Sequence, residues 1–328
     1  VVDRNLPTPS TATLAVATPR KRRWTERLPV ISHLRQSIGL QRGMLVTGLV
    51  ITLFFVVVAL LAPLIAPYSW AQQSVDGQKF GTQQPPSATN LLGTTVSGFD
   101  VFSRMIWGAQ TALLVILAAI ACSIFLGILL GLLSGYFGGW LDRILVVVAD
   151  AIYAFPSLLL AIVMSIVISR GQSSLWAGVM ATALSITVVF VPQYFRVIRA
   201  EVVRVRSEPF VESAKVIGVS TRRILLRHVL RNSTRSLPVV VTINASEALL
   251  TLAGLGFLGF GIEATAAAEW GYDLNRSVAD VTSGIWWTSI FPGLAIVLVV
   301  LGITLVGESL NDLSDPRLRT RRRAGGAA

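Results

Sequence analysis

Long apolar runs alternate along this chain with short polar or basic segments. The runs occupy residues 44–66, 105–135, 141–168, 175–198, 236–261 and 287–310. About 20 residues at a rise of 1.5 Å cover the ~30 Å hydrocarbon core of a bilayer, so each run is long enough to cross. The pattern predicts an all-α membrane protein with six transmembrane helices. Pro63 and Pro67 mark the exit of the first run, and Pro156 can bend the third. Residues 67–104 are mostly uncharged, contain Gln, Gly and Pro, and are too long for a tight turn; they predict a loop. Residues 1–43 predict a flexible polar tail carrying Arg20, Lys21, Arg22 and Arg23, and residues 311–328 a basic tail. Residues 44–310 form the membrane domain between them.

Composition agrees with this plan. Hydrophobic residues make up 53% of the chain, only 14% are charged and the mean hydropathy is +0.68, outside the range of an ordinary soluble domain. Cys122 is the single cysteine, which excludes an intramolecular disulfide and a cysteine-rich metal site. A net charge of +11 raises the question of nucleic acid, but the placement of the cations answers to the membrane. If both termini are cytoplasmic, 24 of the 28 Lys and Arg residues fall on the cytoplasmic side and only Lys79, Arg104, Arg170 and Arg276 outside. Residues 67–104 are then extracytoplasmic and residues 200–235 a cytoplasmic loop. The expected surroundings are lipid, with no nucleic-acid partner.

The 200–235 loop is the most informative polar stretch. Ser207-Glu208-Pro209 reads as a helix start, with serine able to cap and proline suited to the first turn. Phe210, Ala214 and Ile217 recur at helical spacing, and Gly218 can leave the helix in a left-handed conformation. A second helix starts at Ser220 or Thr221, with Leu225 and Val229 on one side and Arg222, Arg223 and Arg227 elsewhere. Two short helices joined at a glycine elbow form a docking surface; the plainer reading is an amphipathic helix lying on the membrane.

The spans carry packing signals. Gly127, Gly131 and Gly135 make one smooth helix face, and Gly254, Gly256, Gly259 and Gly261 crowd the end of the fifth run, both suited to close helix contacts. Trp270, Trp286 and Trp287 are expected at the outer interface. Asp150 and Glu247 fall inside the third and fifth spans, where an acid either lines a pathway or makes a structural hydrogen bond; both readings stay open. No G-x-x-x-x-G-K-[ST] phosphate loop and no H-E-x-x-H occurs, and His33 and His228 both lie in basic segments, which argues against an ATPase or an intramembrane hydrolase.

Glu212-Ser213-Ala214 followed by Gly218 resembles the EAA loop of binding-protein-dependent ABC importer permeases. With NLLGTTVSGFDVFSRMIWGAQTALL, GYFGGWLDR, FPSLLLA, GFLGFG, WWTSIFPGLAI and GESLNDLSDPRLR in order from residue 90 to 319, the chain resembles the C-type permease subunit of dipeptide and oligopeptide importers. It departs from that pattern at Thr95 and Phe99, where Asp and Arg are usual, at Leu252, where an acid is usual, at Ala264 to Ala268, which replace a Pro-Pro pair, and at Arg231, where a proline stop is usual after Leu230. The resemblance implies a type I ABC importer permease fold with cytoplasmic coupling helices between helices four and five. It assigns ATPase docking to Glu212, Ser213, Ala214, Gly218, Arg222 and Arg223. It also implies a non-catalytic subunit without a cofactor of its own, partnered by a homologous B-type permease, by ABC ATPase subunits that bind ATP and Mg, and by an extracytoplasmic substrate-binding protein. The implied site is the bacterial cytoplasmic membrane and the implied cargo a peptide. Haem or nickel chelates are the alternative cargoes, and an ion-coupled secondary transporter working through Asp150 and Glu247 is the alternative machine.

Overall fold

A computed structural model describes residues 40–169 and 174–314. The basic runs expected in the two tails, and Arg170, lie outside the described residues. Helix α1 (Leu40–Leu60) leads through the short α2 (Ala62–Ile65) to a segment holding a two-stranded antiparallel hairpin, β1 (Ser74–Val75) and β2 (Gln78–Lys79). Then come α3 (Val101–Phe137), α4 (Gly139–Tyr153), α5 (Ser157–Ser169) and α6 (Leu175–Arg206). A helical elbow follows, made of α7 (Pro209–Val216), α8 (Thr221–Arg223), a π-helical turn (Ile224–Val229) and α9 (Leu230–Ser233). The described residues finish with α10 (Leu237–Phe257), α11 (Trp270–Thr282) and α12 (Trp287–Ser314).

Among the described residues α1, α3, α6, α10 and α12 are long and apolar enough to span a membrane. The expected third span is not one straight helix. Its two halves, α4 and α5, meet at an angle of 98° across Ala154 to Pro156. Pro156 has no amide hydrogen to give to the helix ladder, and the chain re-enters helix only at Ser157. Helix α1 starts at Leu40 and α12 runs to Ser314, each a turn beyond the apolar run that announces it. The side chains of Gln41 and Asp312 hydrogen-bond across these two ends.

The packing centre is the α3–α6 pair, and the glycine stripe explains its closeness. A Cβ on Gly127 would lie 2.3 Å from the Cβ of Tyr194, one on Gly131 2.9 Å from the Cβ of Ile198, and one on Gly135 2.8 Å from Cγ1 of Val202. Tyr194, Ile198 and Val202 are fully buried there. The stripe therefore serves a contact within the chain, where absent side chains let two backbones approach.

Residues 67–100 fold over one end of the bundle. Trp107 Nε1 donates to the carbonyl of Tyr68 (2.9 Å), Trp70 Nε1 to that of Thr265 and Trp287 Nε1 to that of Thr94. Asp100 caps α3 by accepting from the amide of Ser103 at 2.7 Å. Trp270 corrects one expectation: it is a buried core residue whose ring fills the space over Gly108 and whose Nε1 donates to the carbonyl of Met105. Trp286 does remain half-exposed.

Candidate functional site

At the opposite end of α3 and α6 the elbow is built by strict backbone rules. Helix α6 ends at Arg206, and Ser207 donates its hydroxyl to the carbonyl of Arg204, so it closes α6 and does not cap α7 as expected. Glu208 is the N-cap of α7, with extended φ −73 and ψ 142, but without a side-chain bond to the helix; Pro209 follows in the first turn. Gly218, at φ +79, then closes α7 in a Schellman motif. Its amide reaches the carbonyl of Lys215 and the amide of Val219 reaches that of Ala214, both at 3.0 Å. Only a left-handed residue makes both bonds. From Ser220 the chain turns into α8, and the π-helical turn brings Ile224, Leu225 and Val229 inward together.

Burial sorts the elbow into two faces. Val211 and Ala214 of α7 pack with Val202 and Val205 of α6 and with Ile224, Leu225 and Val229. The ammonium of Lys215 sits 5.8 Å over the ring of Tyr136, which sets α7 against the end of α3, and the guanidinium of Arg206, at the end of α6, donates to the carbonyls of Gly135 and Tyr136. Facing outward are Phe210, Glu212, Ser213, Val216, Ile217, Gly218, Arg222 and Arg223. Phe210 and Ile217 thus do not join Ala214 on an inner face. Val216 is 86% and Ile217 78% exposed, an apolar pair beside a glycine amid charges.

The two span acids have different surroundings. Asp150 is exposed and does not lie within the bundle: it pairs with Arg196 at 2.6 Å, and that guanidinium lies 4.5 Å over the ring of Tyr153. Asp142, at the start of α4, pairs with Arg199 at 2.5 Å. Two ion pairs therefore pin α4 along α6. Glu247, the midpoint of α10, is half-buried and lines a cleft of about 260 Å3 inside the α4–α5 bend, with Tyr153, Ser157, Phe190 and Gln193 among its walls. The structure does not bring Glu247 and Asp150 together in one cluster; Asp150 is not among the cleft's walls.

Residues 127–320 match the family of binding-protein-dependent transport system inner membrane components, and residues 40–86 match the N-terminal transmembrane domain of oligopeptide transport permease C. The chain belongs to this permease family. A dipeptide transport system permease protein from Alkalihalophilus pseudofirmus is 36% identical to it over 275 residues, covering 84% of this chain and 86% of the relative. A glutathione transport system permease protein from Shigella flexneri is 35% identical over 279 residues, covering 85% and 88%.

The permease also holds a buried charge cluster that sequence reading missed. Arg104 of α3 pairs with Asp273 of α11 at 2.7 Å and donates to the carbonyl of Trp70 at 2.9 Å, with side-chain exposures of 2% and 10% for the two ions. Beside them Glu269 caps α11, accepting from the amides of Gly271 and Tyr272, both at 2.7 Å, and its carboxylate fills the space over Gly256. Burial, outweighing the two amide bonds, pushes Glu269 up to about 8; burial likewise raises Asp273 against the pull of Arg104. No spacing in the sequence links positions 104 and 273. The exposed Val216–Ile217 pair was within reach of sequence reading, as two adjacent apolar residues on a helix can share an inner face only partly.

Proposed function

We propose that this permease is one membrane subunit of a bacterial ABC importer for dipeptides or oligopeptides, working with a homologous second permease, two ATPases and an extracytoplasmic binding protein. The observation that carries the reading is the exposed outer face of the elbow, where Val216 and Ile217 stand in solvent next to Glu212 and Gly218 on a helix firmly packed below. An apolar pair so placed is what a partner protein covers. ATP and Mg belong to the ATPase subunits, and this chain performs no hydrolysis. ATPase closure would push on α7, and α7 is tied to α3 and α6, so access to the pathway changes by a two-state movement. The charge asymmetry supports cytoplasmic termini and a cytoplasmic elbow in the bacterial inner membrane. Peptide cargo is supported by the named cargoes of the relatives, since glutathione is itself a peptide.

The test is to co-express the four kinds of subunit with a tag on this chain alone, purify, and reconstitute in liposomes. The expected result is retention of both ATPases and the second permease, with ATP-driven uptake of dialanine that requires the binding protein. Uptake driven by an ion gradient without ATPases would refute the proposal.

A further inference from the structure

The cleft inside the α4–α5 bend has a chemistry of its own. Pro156 breaks the third span and opens a space of about 260 Å3, too small for a whole oligopeptide but large enough for one end of a chain. Glu247 contributes a carboxylate at the midpoint of a membrane-spanning helix, where an unpaired charge is costly. It has no ion-pair and no side-chain hydrogen-bond partner among the described residues. No Lys or Arg is among the cleft's walls, and Arg196, which lies over the ring of the wall residue Tyr153, is paired with Asp150, so the charged group of the walls is Glu247. Gln193, whose side chain carries an amide, and Ser157 and Tyr153, whose side chains carry hydroxyls, are among the same walls. A carboxylate, an amide oxygen and hydroxyls answer the three N–H donors and the single positive charge of a primary ammonium.

We infer that this cleft is a transit subsite for the ammonium end of the cargo, with Glu247 as its counter-charge. The inference rests on the peptide-importer reading above and adds to it the group that is held and the residue that holds it. The carboxylate would be needed during passage and would have no part in docking the ATPases.

The experiment places a reporter cysteine at Gln193, and in a second variant at Ser157, in a Cys122→Ser background, and uses the full complex in membrane vesicles. Each cysteine is challenged with a cationic and an anionic methanethiosulfonate of matched size. With Glu247 present the cationic reagent is expected to react about tenfold faster after correction for intrinsic reactivity, and Glu247→Gln should bring the two rates to within roughly twofold. Dialanine should protect the cysteine, whereas N-acetyl-dialanine, which lacks the ammonium, should not. Equal rates with Glu247 present, or cysteines that stay unreactive in the assembled complex with and without ATP, would overturn the inference. Retention and stimulation of the ATPases, measured on the same samples, report separately on the importer reading, so either can fail alone.

Discussion

Replacing Gly218 by valine isolates one physical cause. No atom lies within 4 Å of where its Cβ would be, so the substitution meets no clash inside this chain. The effect comes from the backbone: φ is +79, and a β-branched residue there costs roughly 1–2 kcal/mol. Relief by opening the elbow would sacrifice the two Schellman bonds, each contributing about 0.5–1.5 kcal/mol, so strain and opening are closely matched. If docking requires the closed elbow, the open form of the free chain competes with it: with strain and opening matched, about half of the free chains are open and ATPase affinity falls by about twofold, or about sixfold where strain exceeds the two bonds by about 1 kcal/mol. Gly218→Asn, which tolerates the left-handed region, should lose much less, and Glu212→Lys should weaken docking through charge with the elbow intact. The assay is reconstitution of the complex, with subunit retention, cargo-stimulated ATP hydrolysis and uptake read together while insertion of the chain is monitored. Full coupling in Gly218→Val, or a loss in Gly218→Asn as deep as in valine, would refute the argument from φ.

Four other expectations are open to direct measurement. Single cysteines at Ser87 and Thr282, in a Cys122→Ser background, should react with an impermeant thiol reagent outside intact cells, and one at Ser220 should not; labelling of Ser220 would reverse the topology. Gly127→Ala should lower thermal stability by roughly 1–3 kcal/mol through overpacking against Tyr194, whereas Gly43→Ala, with no atom in the way, should be neutral or slightly stabilising in a melting assay. Arg104→Met should cost about 3–5 kcal/mol by stranding the buried Asp273, and the double change with Asp273→Leu should recover most of it. Because Glu269 holds its proton up to about 8 in the folded state and releases it near 4.5 when unfolded, the folded state binds more protons between those values. Stability should therefore fall as pH rises through that window, and Glu269→Gln should flatten the profile in pH-dependent melting.

The sequence showed most clearly what the bilayer imposes. Length and apolarity mark the spans because lipid demands uninterrupted helix, and Pro156 marks the break because it lacks a donor. The elbow was legible as two helices around Gly218, since the left-handed position is a local property. Its faces were not: Phe210 and Ile217 share a helical period with Ala214, yet burial of Val211 depends on α6 and the π-helical turn, which no local period encodes. Trp270 went to the core for a similar reason, as its partner Gly108 is distant in sequence. The Arg104–Asp273 pair was invisible because its two ions come from different helices and meet only in three dimensions. Glu247 was legible as an acid in a span, but the cleft in front of it follows from the 98° bend.

Helix α6 continues through Pro192 without leaving the helical conformation, and its length has a mechanical consequence. Its 32 residues, at 1.5 Å each, make a rod about 48 Å long, with the elbow fastened to one end and Leu175 at the other. The rod is keyed to α3 by three glycines that leave no slack, and α4 is clipped to it at Arg196 and Arg199. Interlocked side chains oppose sliding of such a helix against its neighbours, and Pro192, which has no amide for the ladder, is the point where it can bend. If α6 moved as one body, a tilt of only about 5° at the elbow would sweep the far end through about 4 Å, and a small stroke against α7 would arrive on the other side of the bundle as a displacement the width of a side chain.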